Sequence, residues 1–258
     1  MASRLAVLRP TFLALTLIAG LTAGAVHAQQ EPRLDVIYVP TPQQVVDRML
    51  QLADVKKGDY MIDFGCGDGR MVVTAAKLGA RGYGVDINPQ RIKEANENAK
   101  AAGVTDRAEF KIANLFEEDL SKADVMAMYL LTDINLRLRP KILDTMRPGS
   151  RIVSHAFDMG DWKPEAHENV DGRNVYFWIV PAKVEGKWQV DGGKKMTLNI
   201  DQKYQFFTGK AEIDGKSVDI TDGKLKGSDM SFSVNGQTYT GKVDGSTITG
   251  ANWKATKA

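Results

Sequence analysis

Apolar positions along residues 43–182 recur with two different periods. In 43–52 they fall at Val45, Val46, Met49 and Leu50, one face of a 3.6-residue helix. Thr41 stands where an N-cap belongs and Pro42 at the first helical position, and Gln44 completes a capping box. "YMIDF" (60–64) is a short strand, and "RMVVTAAKLG" (70–79) is a helix stopped at Gly79. "GYGVDI" (82–87) is a strand, and "NPQRIKEANENAKAAG" (88–103) a helix with Asn88 as cap, Pro89 in its first turn and Gly103 as its stop. "AEFKIA" (108–113), "DVMAMYLL" (124–131) and "RIVSHAF" (151–157) are strands. The helix "DINLRLRPKILDTM" precedes the last of these, and Pro140 is expected to kink or divide it. "NVYFWIVPA" (174–182) is a final strand in this half. Alternation of this kind implies an α/β, doubly wound, mostly parallel Rossmann-like sheet.

The pattern changes after about residue 186. Eleven of the 24 glycines lie in 186–258, and "DGG", "DGK", "DGK", "NGQ" and "DGS" start at 191, 214, 222, 235 and 244. Asx-Gly pairs at this spacing are hairpin turns. The segments between them, such as "MTLNI", "MSFSV" and "TYTGKV", are β-branched or aromatic and largely alternating. They predict a small antiparallel all-β domain, a barrel or a sandwich of six to eight strands, with Trp188, Phe206, Phe207, Phe232, Tyr239 and Trp253 as its core. The organisation is therefore 29–185 for the α/β domain and 186–258 for the β-domain.

Between the first strand of the α/β domain and its following helix lies "DFGCGDGR". A glycine loop there brings backbone N–H groups and a helix N-terminus to a ligand at the strand's carboxyl end. A dinucleotide fingerprint starting at Gly65 would need a glycine at 70, where the chain has Arg. The glycines are Gly65, Gly67 and Gly69, and Asp63 precedes them. An acid at the loop's start suits a cationic amino end better than a pyrophosphate. Asp86, ending the next strand, is placed to take a ribose diol. Amino group, ribose and no diphosphate together describe S-adenosylmethionine.

"DFGCGDGR", "GVDINP" and "IANLFEEDL" resemble the successive cofactor motifs of class I S-adenosylmethionine-dependent methyltransferases. "YVPTPQQVVDRML" and "RIVSHAFDMGDWKP" are similar to segments of the small protein-lysine methyltransferases of mitochondrial inner-membrane proteins and their bacterial relatives. The resemblance covers roughly residues 36–180. It implies that Asp63 and the loop Gly65, Cys66, Gly67, Asp68 and Gly69 hold the methionine end, that Asp86 holds the ribose, and that Asn114 and Leu115 flank the adenine. Asn114 stands where the family usually has Asp, and its oxygen can still accept from the adenine amino group. Tyr38, Pro40 and Thr41 match a segment that approaches cofactor and acceptor in such enzymes.

Methyl transfer is an in-line displacement at a sulfonium, so alignment and water exclusion dominate. A lysine acceptor must also lose a proton. Tyr129 and His155 are the catalytic candidates, with Asp158 beside them, all at or just beyond the carboxyl ends of strands. Trp162 is placed over the acceptor entrance, where a ring face can hold an ammonium; a packed loop anchor is the alternative. Cys66 reads as a small packing residue within the loop. No D-P-P-Y or N-P-P-Y follows the fourth strand, which argues against DNA-base methylation. One cysteine and three histidines form no metal-ligand cluster.

The formal charge of +2 gives no sign of a nucleic-acid partner. The N-terminus does bear on location. Arg4 and Arg9 precede "TFLALTLIAGLTAGAV", with Val26 and Ala28 at the −3 and −1 positions of a cleavage site. The apolar run is 16 residues, short of the ~20 that span a bilayer. A cleaved secretory signal over 1–28 is the expected reading, placing the protein in the periplasm or cell envelope with no membrane span; an uncleaved anchor is the alternative. The favoured function is a methyltransferase acting on an envelope protein, on lysine. The other reading is an exported, non-catalytic binding protein that has kept the fold. The partner of the β-domain is not legible.

Overall fold

The computed structural model describes residues 38–192 and 195–258; the segment read as an export signal, 1–28, lies outside them. No helix among the described residues is long and apolar enough to cross a membrane.

The first half follows the order α1 (Gln43–Leu52), β1 (Tyr60–Phe64), α2 (Arg70–Lys77), β2 (Arg81–Asp86), α3 (Pro89–Ala101), β3 (Ala108–Ile112), β4 (Val125–Met128), α4 (Thr132–Thr145), β5 (Arg151–His155), β6 (Ala166–Val170) and β7 (Arg173–Ile179). The seven strands lie in the order β3-β2-β1-β4-β5-β7-β6. β1 to β5 are parallel neighbours, while β7 runs antiparallel to β5 and β6 antiparallel to β7. β4 is buried throughout, which explains its unbroken apolar run. Alternate residues of β1 feed opposite layers: Met61 packs with Val45, Val46, Met49 and Leu50 of α1, and Ile62 with Ile134, Leu138 and Ile142 of α4. The chain leaves β1 toward β2 and β3, then returns to place β4 on its other side. Such a switch point opens a crevice at the carboxyl ends of β1 and β4.

The second half is β8 (Gly186–Asp191), β9 (Met196–Lys203), β10 (Phe206–Ile213), β11 (Lys216–Lys226), β12 (Asp229–Val234), β13 (Gln237–Asp244), β14 (Thr247–Gly250) and β15 (Lys254–Lys257). Each pairs antiparallel with its successor, and β15 pairs with β8, closing an eight-stranded barrel. Trp188, Phe207, Phe232 and Trp253 lie in its core.

Several expectations are corrected. Helix α1 has Pro42 at its N-cap and no side-chain cap, because the Thr41 hydroxyl is taken by His155 across the fold. Gln44 reaches Asp171 instead of the helix start. Pro140 sits inside a continuous α4. The "DGK" at 222 is no hairpin turn. Asp222 adopts φ +55° at a bulge within β11, where a Cβ on Gly223 would lie 2.1 Å from the Phe207 carbonyl oxygen. Phe206 is 42% exposed, outside the barrel core. Strands β6, β8 and β15 are additional to those predicted.

Candidate active site

A cavity of about 510 Å³ occupies the crevice, within the range of small-molecule sites. Asp63, Gly65, Cys66, Asp68, Asp86, Asn114, Leu115 and Tyr129 all line it. Gly67, Gly69 and His155 are not among its lining residues.

The loop after β1 is shaped by its neighbours. The N–H groups of Gly65 and Cys66 donate to the Val85 carbonyl at 2.9 and 3.0 Å, tying the loop to the end of β2. Gly67 has φ +52°, and a Cβ there would lie 2.2 Å from the Tyr38 ring, which covers it. Asp86 clamps both edges of the crevice: its Oδ2 accepts from Gly67 N–H at 3.1 Å and its Oδ1 from Asn88 N–H at 2.9 Å. Each oxygen keeps a lone pair for a ligand hydroxyl. Cys66 is buried, and burial with Asp63 and Asp86 nearby pushes its thiol up, so it stays protonated and packs.

Asp63 is different. It is 6% exposed, and no donor among the described residues reaches its carboxylate. Burial, then the charges of Asp86 and Asp68, push its pKa up to about 8. A buried acid aimed into a cavity with no partner is a receptor for a cation. Asp68 is held low despite burial by a two-pronged contact with Arg70, at 2.9 and 2.5 Å, and Arg70 also donates to the Thr41 carbonyl at 2.8 Å. Arg91 lies 4.5 Å from the Tyr38 ring centre and pairs with Glu94 at 2.7 Å. Asn114 faces the cavity, but its exposed side chain is engaged within its own loop: Oδ1 accepts from Phe116 N–H at 3.1 Å and Nδ2 donates to Glu117 at 2.9 Å.

The opposite wall is apolar and aromatic. Tyr129 packs on His155 at 3.9 Å between ring centres, tilted by 37°, and stacks on Phe157 at 6.0 Å. His155 is 2% exposed, and its Nδ1 is 3.0 Å from Thr41 Oγ1. Burial, then Arg173, pushes its pKa down to about 4, so the imidazole is neutral near pH 7. It therefore supports Tyr129 from behind and does not touch the cavity. Ala156, beyond it, has φ +64°, and Phe157 N–H donates to the His155 carbonyl at 2.8 Å, a strained γ-turn that returns Phe157 to the wall. Trp162 is not at the entrance. It is 1% exposed, and its carbonyl accepts from Trp178 Nε1 at 2.8 Å. Asp158 is occupied locally by Gly160 N–H. Sequence reasoning passed over the roles of Arg70, Arg91 and Phe157. Arg70 had a signal, as the residue that breaks the dinucleotide fingerprint.

The sequence model of a family described as "ANTKMT methyltransferase domain" matches residues 63–166. A protein-lysine N-methyltransferase of Saccharolobus islandicus is 44% identical over 151 residues, covering 56% of this chain and 94% of that protein. The chain belongs to the S-adenosylmethionine-dependent protein-lysine methyltransferase family. A human lysine N-methyltransferase named for an ATP synthase component is 25% identical, over 58% of this methyltransferase and 67% of the human protein. A solved structure of a Salinibacter ruber RNA methyltransferase with S-adenosyl-L-homocysteine is 48% identical. It covers 57% of this methyltransferase and 96% of that chain with a TM-score of 0.55. The cofactor fits the site as found: the Asp63 carboxylate, with no donor among the described residues, is suited to an ammonium, and the cavity has room for the group.

Proposed function

We propose that this enzyme methylates lysine side chains of a protein in the cell envelope. Asp63 takes the ammonium of the cofactor, Asp86 its ribose hydroxyls, and Asn114 and Leu115 border its adenine. The bound cofactor supplies an electrophilic methyl group on sulfur. The chain's own residues align the acceptor and exclude water. Met128, Leu130 and Phe157 make an apolar wall that favours a neutral amine over an ammonium. Tyr129 Oη is the hydroxyl placed against that amine, and His155, uncharged, braces its ring without adding a repelling charge.

The observation that carries the choice of acceptor is the state of the cavity's cations. Arg70 and Arg91 are the two that line it among the described residues, and both are engaged, with Asp68 and with Glu94 and Tyr38. Neither is free for a phosphate backbone, which argues against the RNA acceptor named for the Salinibacter protein. The N-terminal pattern supports an envelope location.

The test is transfer of labelled methyl from S-adenosylmethionine to an envelope extract and to a cytosolic one. Label in the envelope fraction that survives ribonuclease, is lost to protease and yields methyl-lysine on hydrolysis supports the proposal. Label that ribonuclease releases, or that appears only in cytosolic protein, overturns it.

A further inference from the structure

The segment 157–163 joins β5 to β6, and it is held at nearly every residue. From α4, Asn135 Nδ2 donates to the carbonyls of Phe157 and Asp158, at 3.3 and 3.1 Å. Arg139 donates to the Met159 carbonyl and to Asp161, each at 2.7 Å. From the barrel, the turn between β9 and β10 supplies the rest. Tyr204 OH donates to Asp161 at 2.9 Å, Lys203 pairs with the other oxygen of Asp161 at 3.0 Å, and Gln205 Nε2 donates to the Lys163 carbonyl at 2.7 Å. The Tyr204 ring stacks on buried Trp162, 5.9 Å between centres and 21° between planes, with the Arg139 guanidinium 5.2 Å from its centre. Tyr204 has φ +56°, an uncommon backbone for a bulky aromatic, in a turn whose side chain is committed to this junction.

The other end of the same segment is the wall of the active site, where Phe157 stacks on Tyr129. A short coil fixed at both ends transmits a shift at 161–163 to residue 157 more readily than a free loop does. The family match stops at residue 166, and the first barrel strand starts at Gly186, so the grip comes from beyond the matched catalytic region.

We propose that the barrel acts as a positioning domain for the acceptor side of the active site, with Tyr204 as its contact, working through Asp161 and Trp162 on Phe157 and Tyr129. The proposal rests on the reading above only in taking Phe157 and Tyr129 as the acceptor wall. The cofactor side, built on β1, β2 and their loops, has no part in the grip.

The experiment compares full-length Tyr204→Ala and Tyr204→Phe with the parent protein. Hydrogen exchange is followed by mass spectrometry, S-adenosylhomocysteine binding by calorimetry, and methylation against increasing envelope extract. In Tyr204→Ala, exchange over 157–163 is expected to quicken at least tenfold, with cofactor-product affinity within twofold and half-saturating extract raised several-fold. Tyr204→Phe, which keeps the ring and loses the hydroxyl, is expected to fall between. Unchanged exchange over 157–163 in a folded Tyr204→Ala overturns the proposal. So does loosening of the whole chain in step with lost S-adenosylhomocysteine binding. Exchange and calorimetry need no acceptor, so the positioning proposal and the envelope-lysine reading fail separately.

Discussion

Inside the barrel, Phe232 meets Phe207 and Trp253 in a core shared with Trp188, and Trp253 Nε1 donates to the Thr240 carbonyl at 3.2 Å. Behind the strand ends of the sheet, a carboxylate stands buried with no donor among the described residues. One interior is satisfied by its own side chains, and the other is completed by something that arrives. Buried polar groups in a finished fold are nearly always partnered, so an exception marks where a ligand supplies what the chain omits. The barrel interior, by that measure, is scaffold; its one buried side-chain atom without a partner among the described residues, Gln205 Oε1, lies outside that interior at the turn facing 157–163, and the switch-point crevice is the working region.

The contrast breaks most visibly at Asp63. Asp63→Asn removes the charge that faces the cofactor's ammonium, and affinity for S-adenosylmethionine should fall about 100-fold, or ~2.7 kcal/mol. The same change should stabilise the free protein. With its pKa raised to about 8, Asp63 favours the fold while protonated, and that contribution is lost as pH rises from ~4 through about 8. Thermal unfolding at pH 8.5 should therefore show Asp63→Asn melting above the parent. A lower melting temperature with unchanged affinity would return Asp63 to an ordinary structural role.

A second effect of the same group is graded with pH. Binding to the ammonium needs the carboxylate, so the dissociation constant should fall close to tenfold per pH unit toward about 8 and then level off. Calorimetry across pH 6 to 8.5 measures the slope, and Asp63→Asn should flatten it. His155 supplies the opposite expectation. With a pKa near 4, it should leave no inflection in the rate between pH 5.5 and 7.5. His155→Ala, which removes the ring beneath Tyr129 and the partner of Thr41, should cut methyl transfer about tenfold, less than the ~100-fold or more of a group that itself transfers a proton, with cofactor affinity nearly unchanged. A rate that titrates with a group near 6.5 would make His155 a base after all.

The cofactor crevice was more legible than the acceptor wall, for a physical reason. Gly65, Gly67, Asp63 and Asp86 sit within 24 residues, and their geometry follows from one strand–loop–helix–strand unit. The acceptor wall joins Thr41, Tyr129 and Phe157, with His155 bracing it from behind, from three separated segments, and nothing local announces that Thr41 abandons its helix for His155. The capping pattern was sound as local chemistry, and a tertiary hydrogen bond displaced it. The same holds for Asp222-Gly223, where a turn signal serves a bulge, and for Trp162, whose ring is claimed by the barrel's Tyr204. Strand β15, four residues with a lysine at each end, lacks the alternation that marked the six predicted strands and is fixed by barrel closure, whereas β8 does alternate at Trp188 and Val190 but is separated from the predicted strands by the Asp191 turn. Local periodicity is blind to that closure.

The smallest expected effect on the site tests whether the barrel matters everywhere or only at one turn. Gly250, at the end of β14, leaves space for the Trp253 ring; a Cβ there would stand 2.0 Å from Trp253 Nε1. Gly250→Ala must push that ring from its edge-on place against the stacked Phe232 and Tyr239 and break its bond to Thr240, an overpacking cost of ~1–3 kcal/mol. The melting temperature should drop by a few degrees. Yet β14 pairs with β13 and β15, not with the strands flanking Tyr204. Cofactor affinity, and hydrogen exchange over 157–163, should therefore stay within twofold of the parent. A variant that is less stable yet unaltered at the active site separates the barrel's support of its own fold from its hold on the acceptor wall. Should Gly250→Ala instead loosen 157–163 as much as Tyr204→Ala does, the barrel would act through bulk stability, and the special place given to the β9–β10 turn would be lost.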